Sequence, residues 1–147
     1  MLFPSAPATL WAAFDLWRVL KEKASESDDV TMVATGHSLG AAMAVIASML
    51  HPFDALVTFG QPLVGAQLDA GIPADTRYLR VVNGVDNITT IPPTVLGYSH
   101  AGEIVAIEDP SGPASLLGIT LINADHSIVN YAEIMRRNAD LIPRIVH

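Results

Sequence analysis

Between residues 30 and 50 the chain changes its hydrophobic rhythm once, at a serine. Val30, Met32 and Ala34 alternate with Thr31, Val33 and Thr35, and this β-branched run reads as a largely buried strand over residues 30–36. Residues 39–50 are all small or apolar, with no proline, so a packed helix is predicted. Upstream, Leu10, Phe14 and Trp17 share one helical face while Asp15 and Arg18 lie off it, which predicts an amphipathic helix over residues 8–24. The charged residues 21–29 read as a solvated connection. Downstream, residues 55–59 end at Gly60, residues 78–82 end at Asn83-Gly84, and residues 103–107 lie between Gly102 and Asp109-Pro110-Ser111-Gly112. Each reads as a strand bounded by turn residues. Residues 127–137 close as a helix with Ile128, Tyr131, Ile134 and Met135 on one face. Strands alternating with helices predict an α/β fold, a mostly parallel sheet of about four strands flanked by helices.

Composition narrows the class. A chain of 147 residues, half of them hydrophobic and 16% charged, can bury a moderate core as a single domain. It shows no repeat, low-complexity tract or internal linker. The net charge of −7, with no basic cluster, argues against nucleic acid or an anionic membrane surface as a partner. With no cysteine, disulfides, a thiol nucleophile and cysteine-ligated metal are excluded. The longest apolar stretch, residues 39–50, is too short to span a bilayer. Residues 1–7 lack the basic start and long apolar centre of a signal peptide, so a soluble chain is expected, cytoplasmic as it stands.

The serine at the change of rhythm lies in Gly36-His37-Ser38-Leu39-Gly40, between the predicted strand and helix. A serine at such a turn is expected at strained φ/ψ with its hydroxyl exposed, and glycines on both sides leave room where side chains would clash. The following helix start offers N–H groups and a positive dipole end to a developing oxyanion. Ser38 is therefore the candidate nucleophile; the plain alternative is a tight turn without chemistry. A hydroxyl needs a base, and the base needs an acid to hold its tautomer. Of five histidines, His37 is expected to point away from the Ser38 side chain, His51 ends a helix and His147 is terminal. His126, after the last strand and before the closing helix, is the favoured base, with His100 next. Asp86, in the loop after the third strand, shares a sheet edge with Ser38 if the strands are parallel. Its rival Asp125 is placed to cap the closing helix.

The strings VATGHSLGAAMAV (33–45), VTFGQPLVG (57–65), RVVNGVDNITTIPP (80–93), GYSHAGEIV (97–105) and ADHSIVNY (124–131) together resemble the class 3, fungal-type triacylglycerol lipases of the α/β-hydrolase superfamily. The resemblance implies Ser38 as nucleophile, Asp86 as acid, His126 as base and the backbone N–H of Leu39 as an oxyanion donor. It implies hydrolysis of a lipid or small carboxylic ester through an acyl-enzyme, with no cofactor and no metal. It moves His100 to a structural role, and Gly60, Pro62 and Gly65 to the turn after the second strand. Ala41 stands where the family commonly has a second glycine, Leu63 where it often has arginine, and Asn87-Ile88-Thr89-Thr90 where an apolar-Val-Pro run is usual. Asn87-Ile88-Thr89 is also a formal glycosylation sequon.

The resemblance covers the C-terminal half of that family. The expectation is one partial domain over residues 1–147, lacking the first strands, the lid and the segment that supplies a second oxyanion donor. A longer parent could be secreted. The same expectation leaves an exposed edge on the nucleophile strand, open to self-association. A catalytically impaired fragment, or a non-catalytic interaction module, is the alternative to an active esterase.

Overall fold

The computed structural model describes residues 18–19, 21–23, 25–26, 30–66, 71–107 and 125–137. Residues 18–19, 21–23 and 25 are helical, with a turn at Glu26, so helix extends into the charged segment read as a connection; the rest of the helix expected over 8–24 lies outside the described residues. Lys23 Nζ meets the Glu26 carboxylate at 2.9 Å on the exposed side of this turn.

From residue 33 onward the elements alternate. Strand β1 (Val33–His37), helix α1 (Leu39–Leu50), strands β2 (Ala55–Phe59), β3 (Arg77–Asn83) and β4 (Glu103–Ile107), and helix α2 (Ile128–Arg137) follow in chain order. Short 3₁₀ turns occupy Asn87–Thr90 and Thr94–Leu96. The sheet runs β1-β2-β3-β4 with every pair parallel, as the alternation predicts. Parallel order places every strand's carboxyl end on one edge, the edge from which the loops after β1, β2 and β3 leave.

Register explains where the strands stop. Val33 pairs with Ala55 and Ala55 with Arg77, so the ladder starts at Val33 and residues 30–32, expected in the first strand, lie before it. His37 pairs with Phe59, which carries β1 one residue past the expected end. Among the described residues, β1 has a strand neighbour on one side only.

Both sheet faces are covered, as alternation of side chains across a strand requires. Ala34, Leu56 and Tyr78 pack with Ala44 and Val45 of α1. Val57, Val81 and Ile107 pack with Tyr131 and Ile134 of α2. A fully buried Leu56 or Val45 contributes about 1.5–3 kcal/mol of burial free energy. The inward face of α1 is made of Ala41, Ala42, Ala44, Val45 and Ser48, mostly small side chains that let the helix lie close on the strands. Helix α1 stops at His51, whose N–H reaches the Ala47 carbonyl at 2.9 Å in extended backbone, because Pro52 disfavours helical geometry before it. Among the described residues no helix is long and apolar enough to cross a membrane.

Candidate active site

Ser38 occupies the single residue between β1 and α1, at φ 56° and ψ −125°. Among the described residues it is the only non-glycine with positive φ, a backbone strain that persists where surrounding bonds fix it. Those bonds are present: the Ser38 N–H reaches the Phe59 carbonyl at 3.0 Å, and the Ser38 carbonyl accepts from Ala41 and Ala42 at 3.0 and 3.2 Å. Gly36 makes the turn possible. A Cβ there would lie 2.3 Å from the Gly40 carbonyl oxygen and 2.7 Å from the Ala41 nitrogen. Gly40 departs from expectation, for a Cβ there meets nothing within 4 Å. Crowding is confined to the strand side, where main chain crosses under the helix's first turn.

His126, two residues before α2, places Nε2 2.8 Å from Ser38 Oγ. Its Nδ1 lies 3.0 and 2.9 Å from the two Asp86 carboxylate oxygens. A carboxylate only accepts, so Nδ1 carries the proton and Nε2 presents a lone pair to the serine hydroxyl. The structure thus brings Ser38, His126 and Asp86 into one hydrogen-bonded chain at the carboxyl edge of the sheet. Leu39 is the first residue of α1, and its N–H belongs to the group that an α-helix leaves without intrahelical acceptors.

The Asp86 side chain is fully buried. A buried carboxylate needs donors, and two reach it besides His126. The Ile88 N–H donates to Oδ1 at 3.0 Å, and the Tyr131 hydroxyl donates to Oδ2 at 2.7 Å. The same hydroxyl accepts from the Asn83 N–H at 3.0 Å. Burial, reinforced by Asp86, holds the Tyr131 pKa well above the ordinary phenol value, so the group stays a donor. Gly60, at φ 54°, lies against this pair. A Cβ there would come within 2.8 Å of Asp86 Oδ2 and 3.0 Å of His126 Nδ1.

Asp125 does not cap α2. Its carboxylate accepts from the Val85 N–H at 3.2 Å, and its carbonyl accepts from Asn83 Nδ2 at 3.0 Å. The helix begins at Ile128, too far along for Asp125 to reach its first N–H groups as an N-cap, and the carboxylate holds the Asp86 loop instead. His37 does not merely point aside: its Nε2 bonds the His126 carbonyl at 2.8 Å, and the two rings lie 4.6 Å apart, tilted by 34°. His100 holds the Thr89 carbonyl through Nε2 at 2.7 Å, and His51 ends α1. His147 lies outside the described residues. Leu63 is buried in the core, and Asn87 opens the 3₁₀ turn that follows Asp86.

Sequence reasoning missed the Tyr131 hydroxyl, the Asn83 side chain and the closeness of Gly60. Tyr131 carried one signal: it is the polar-tipped member of an otherwise aliphatic face, and a buried phenol seeks a partner.

A family model described as Lipase (class 3) matches residues 3–96. The secreted mono- and diacylglycerol lipase MDL2 of Malassezia globosa is 34% identical over 102 residues, covering 63% of this chain and 34% of that protein. The secreted mono- and diacylglycerol lipase A of Penicillium camembertii is 30% identical over 120 residues, covering 77% of this chain and 39% of its own length. Among solved structures, the native Rhizomucor miehei lipase propeptide complex superposes with a TM-score of 0.56 at 31% identity, over 67% of this chain and 35% of that one. The chain spans about a third of the length of these relatives.

Proposed function

Because the chain belongs to the class 3 lipase family, with the parallel sheet and flanking helices of the α/β-hydrolase fold, we propose that it hydrolyses carboxylic esters with Ser38 as nucleophile. One observation carries the reading: a serine hydroxyl at a strained turn, hydrogen-bonded at 2.8 Å to a histidine whose other nitrogen bonds a buried carboxylate.

The chemistry follows from the proton positions. His126 Nε2 takes the Ser38 proton as Oγ attacks the ester carbonyl carbon. The carbonyl oxygen becomes an oxyanion facing the Leu39 N–H and the positive end of α1. Asp86 holds Nδ1–H and stabilises the imidazolium that forms. The tetrahedral intermediate collapses, the C–O bond to the alcohol breaks, and His126 gives its proton to the departing oxygen. Water then attacks the acyl-serine, losing its proton to the same Nε2; the acyl–Oγ bond breaks, Nε2 returns the proton to Oγ, and the acid is released with Ser38 restored.

An apolar acyl substrate is supported by the side chains beside each reacting group. Leu39 follows Ser38, Val85 precedes Asp86, and Ile128 and Val129 follow His126; all four are exposed. The relatives named as mono- and diacylglycerol lipases favour partial glycerides as the ester. The test is a fluorophosphonate probe with p-nitrophenyl butyrate and diacylglycerol assays. Ser38 is expected to be the labelled serine, and Ser38→Ala to abolish labelling and hydrolysis together. Labelling that survives the substitution, or that maps to Ser99 or Ser127, overturns the assignment.

A further inference from the structure

We propose that His37 is a positioning residue for the proton shuttle: its Nε2–H holds the main chain of His126 while its ring backs the His126 imidazole. This rests on the reading of His126 as the base.

The argument begins with what fixes residue 126. His126 is in a turn, not in helix or strand, so no ladder of backbone bonds holds it. Its ring is oriented by Ser38 and Asp86, but the Ser38 bond is a working contact whose proton moves to Nε2 during turnover. The backbone that sets where the ring starts is tied by side chains from two strand ends. Asn83, the last residue of β3, donates to the Asp125 carbonyl at 3.0 Å. His37, the last residue of β1, bonds the next carbonyl, that of His126, at 2.8 Å.

The His37 bond also fixes a tautomer. A carbonyl oxygen only accepts, so a proton sits on His37 Nε2, which in a neutral ring leaves Nδ1 bare. A neutral ring is required there, because a second cation 4.6 Å from His126 would oppose the imidazolium of the transition state. Burial, followed by the nearby His126, lowers the His37 pKa, against opposing contributions from its hydrogen bond and from Asp86. Tyr131, edge-on at 5.6 Å, is the other titratable ring against it and is held protonated.

The economy of the arrangement lies in the chain order. His37 and Ser38 are consecutive, and both reach residue 126, one at its carbonyl and one at its ring. A small displacement of the β1 end therefore carries nucleophile and base together. The Ser38–His126 distance is buffered against movements that would otherwise separate groups 88 residues apart in sequence.

Two variants separate the halves of the claim. His37→Phe keeps a ring against His126 and removes the donor. His37→Gln keeps an N–H at nearly the same reach and removes the ring. Measured on the whole chain, His37→Phe is expected to lower kcat about tenfold or more at unchanged KM, since small misplacements of a reacting group carry penalties of that order. Fluorophosphonate labelling should slow in parallel. His37→Gln is expected to restore labelling and kcat to within about threefold of the parent, as recovery of the hydrogen bond requires. The proton NMR signal of His126 Nδ1–H against Asp86 supplies a readout independent of turnover. It should broaden in His37→Phe and sharpen again in His37→Gln. Parent-like kcat, labelling and spectrum in a folded His37→Phe overturn the proposal, as does a folded His37→Gln as impaired as Phe. If His37→Phe does not fold, the His37→Gln result decides alone. A parent chain that never labels Ser38 refutes the esterase reading, while the NMR comparison still tests the positioning of His126.

Discussion

The Tyr131 hydroxyl donates at 2.7 Å to Asp86 Oδ2, the oxygen that also faces His126 Nδ1 at 2.9 Å. One oxygen thus accepts from the imidazole N–H and from a phenol of α2 together. Tyr131→Phe removes a donor from a buried carboxylate and leaves the Asn83 N–H without its acceptor. The expected cost is about 1.5–3 kcal/mol of stability, as for a hydrogen bond to a charged group, with a reduced kcat. Chemical denaturation checks the first effect and ester turnover the second. A parent-like midpoint would show that the phenol bond is energetically idle.

Asp86→Asn should act chiefly on turnover, lowering kcat by about 10⁴, the scale on which a wrong histidine tautomer acts, while stability falls by the one acceptor that the amide nitrogen replaces. Asp125→Ala should do the reverse. It loses the Val85 N–H bond, costing on the order of 1 kcal/mol, and shifts kcat only modestly. Steady-state kinetics beside thermal unfolding distinguish the two. Swapped phenotypes would mean that the wrong aspartate is assigned as the acid.

The glycines order themselves by what an added methyl would strike. Gly60→Ala meets the Asp86–His126 pair and sits at φ 54°. It should cost about 1–2 kcal/mol of backbone strain and up to about 10² in turnover through displacement of the base. Gly36→Ala strikes main chain at 2.3 Å and is expected not to fold. Gly40→Ala meets nothing within 4 Å, and alanine in a helix should raise stability by up to about 1 kcal/mol. Melting temperatures and kcat of the three test the ranking.

Acid should weaken the fold through its half-buried histidines, His37 and His100. Burial holds His100 below its ordinary pKa of 6.5, and His37 likewise. Well above 6.5 these rings are neutral in folded and unfolded chains alike. As pH falls through 6.5 the unfolded chain takes up protons first, so stability is lost until the lower folded-state values are passed. His100→Gln retains a donor to the Thr89 carbonyl and removes one of these titrations. Its urea midpoint should fall less than the parent's between about pH 7.5 and 5.5. An equal or steeper fall would contradict the linkage.

Much of this was legible in the sequence because it depends on local pattern. Helix Leu39–Leu50 and strands Ala55–Phe59 and Glu103–Ile107 have the predicted bounds: Pro52 follows the first, Gly60 at φ 54° the second, and the third opens after Gly102 at φ 79°. The meeting of Ser38, Asp86 and His126 was legible too, through a serine turn and two loops assigned to one sheet edge. What was not legible depends on contacts across the fold. The start of β1 is decided by where Ala55 lies opposite it. Asp125 looks like a cap locally, and only the approach of the Asp86 loop gives its carboxylate another donor. Strand alternation points His37 away from Ser38, a rule that ends at the residue where Ser38 leaves extended backbone.

The spacing of the relay has a consequence for how the chain folds. His126 is 88 residues from Ser38 and 40 from Asp86, and every strand pair between them is parallel, each requiring a crossover before it can form. Closing loops of that size precedes any reward from the contacts they permit. On the proposed reading, reactivity at Ser38 therefore waits for the whole relay to assemble. A serine-directed probe added during refolding acts as a clock for the last step, and its labelling should trail the recovery of helical circular dichroism.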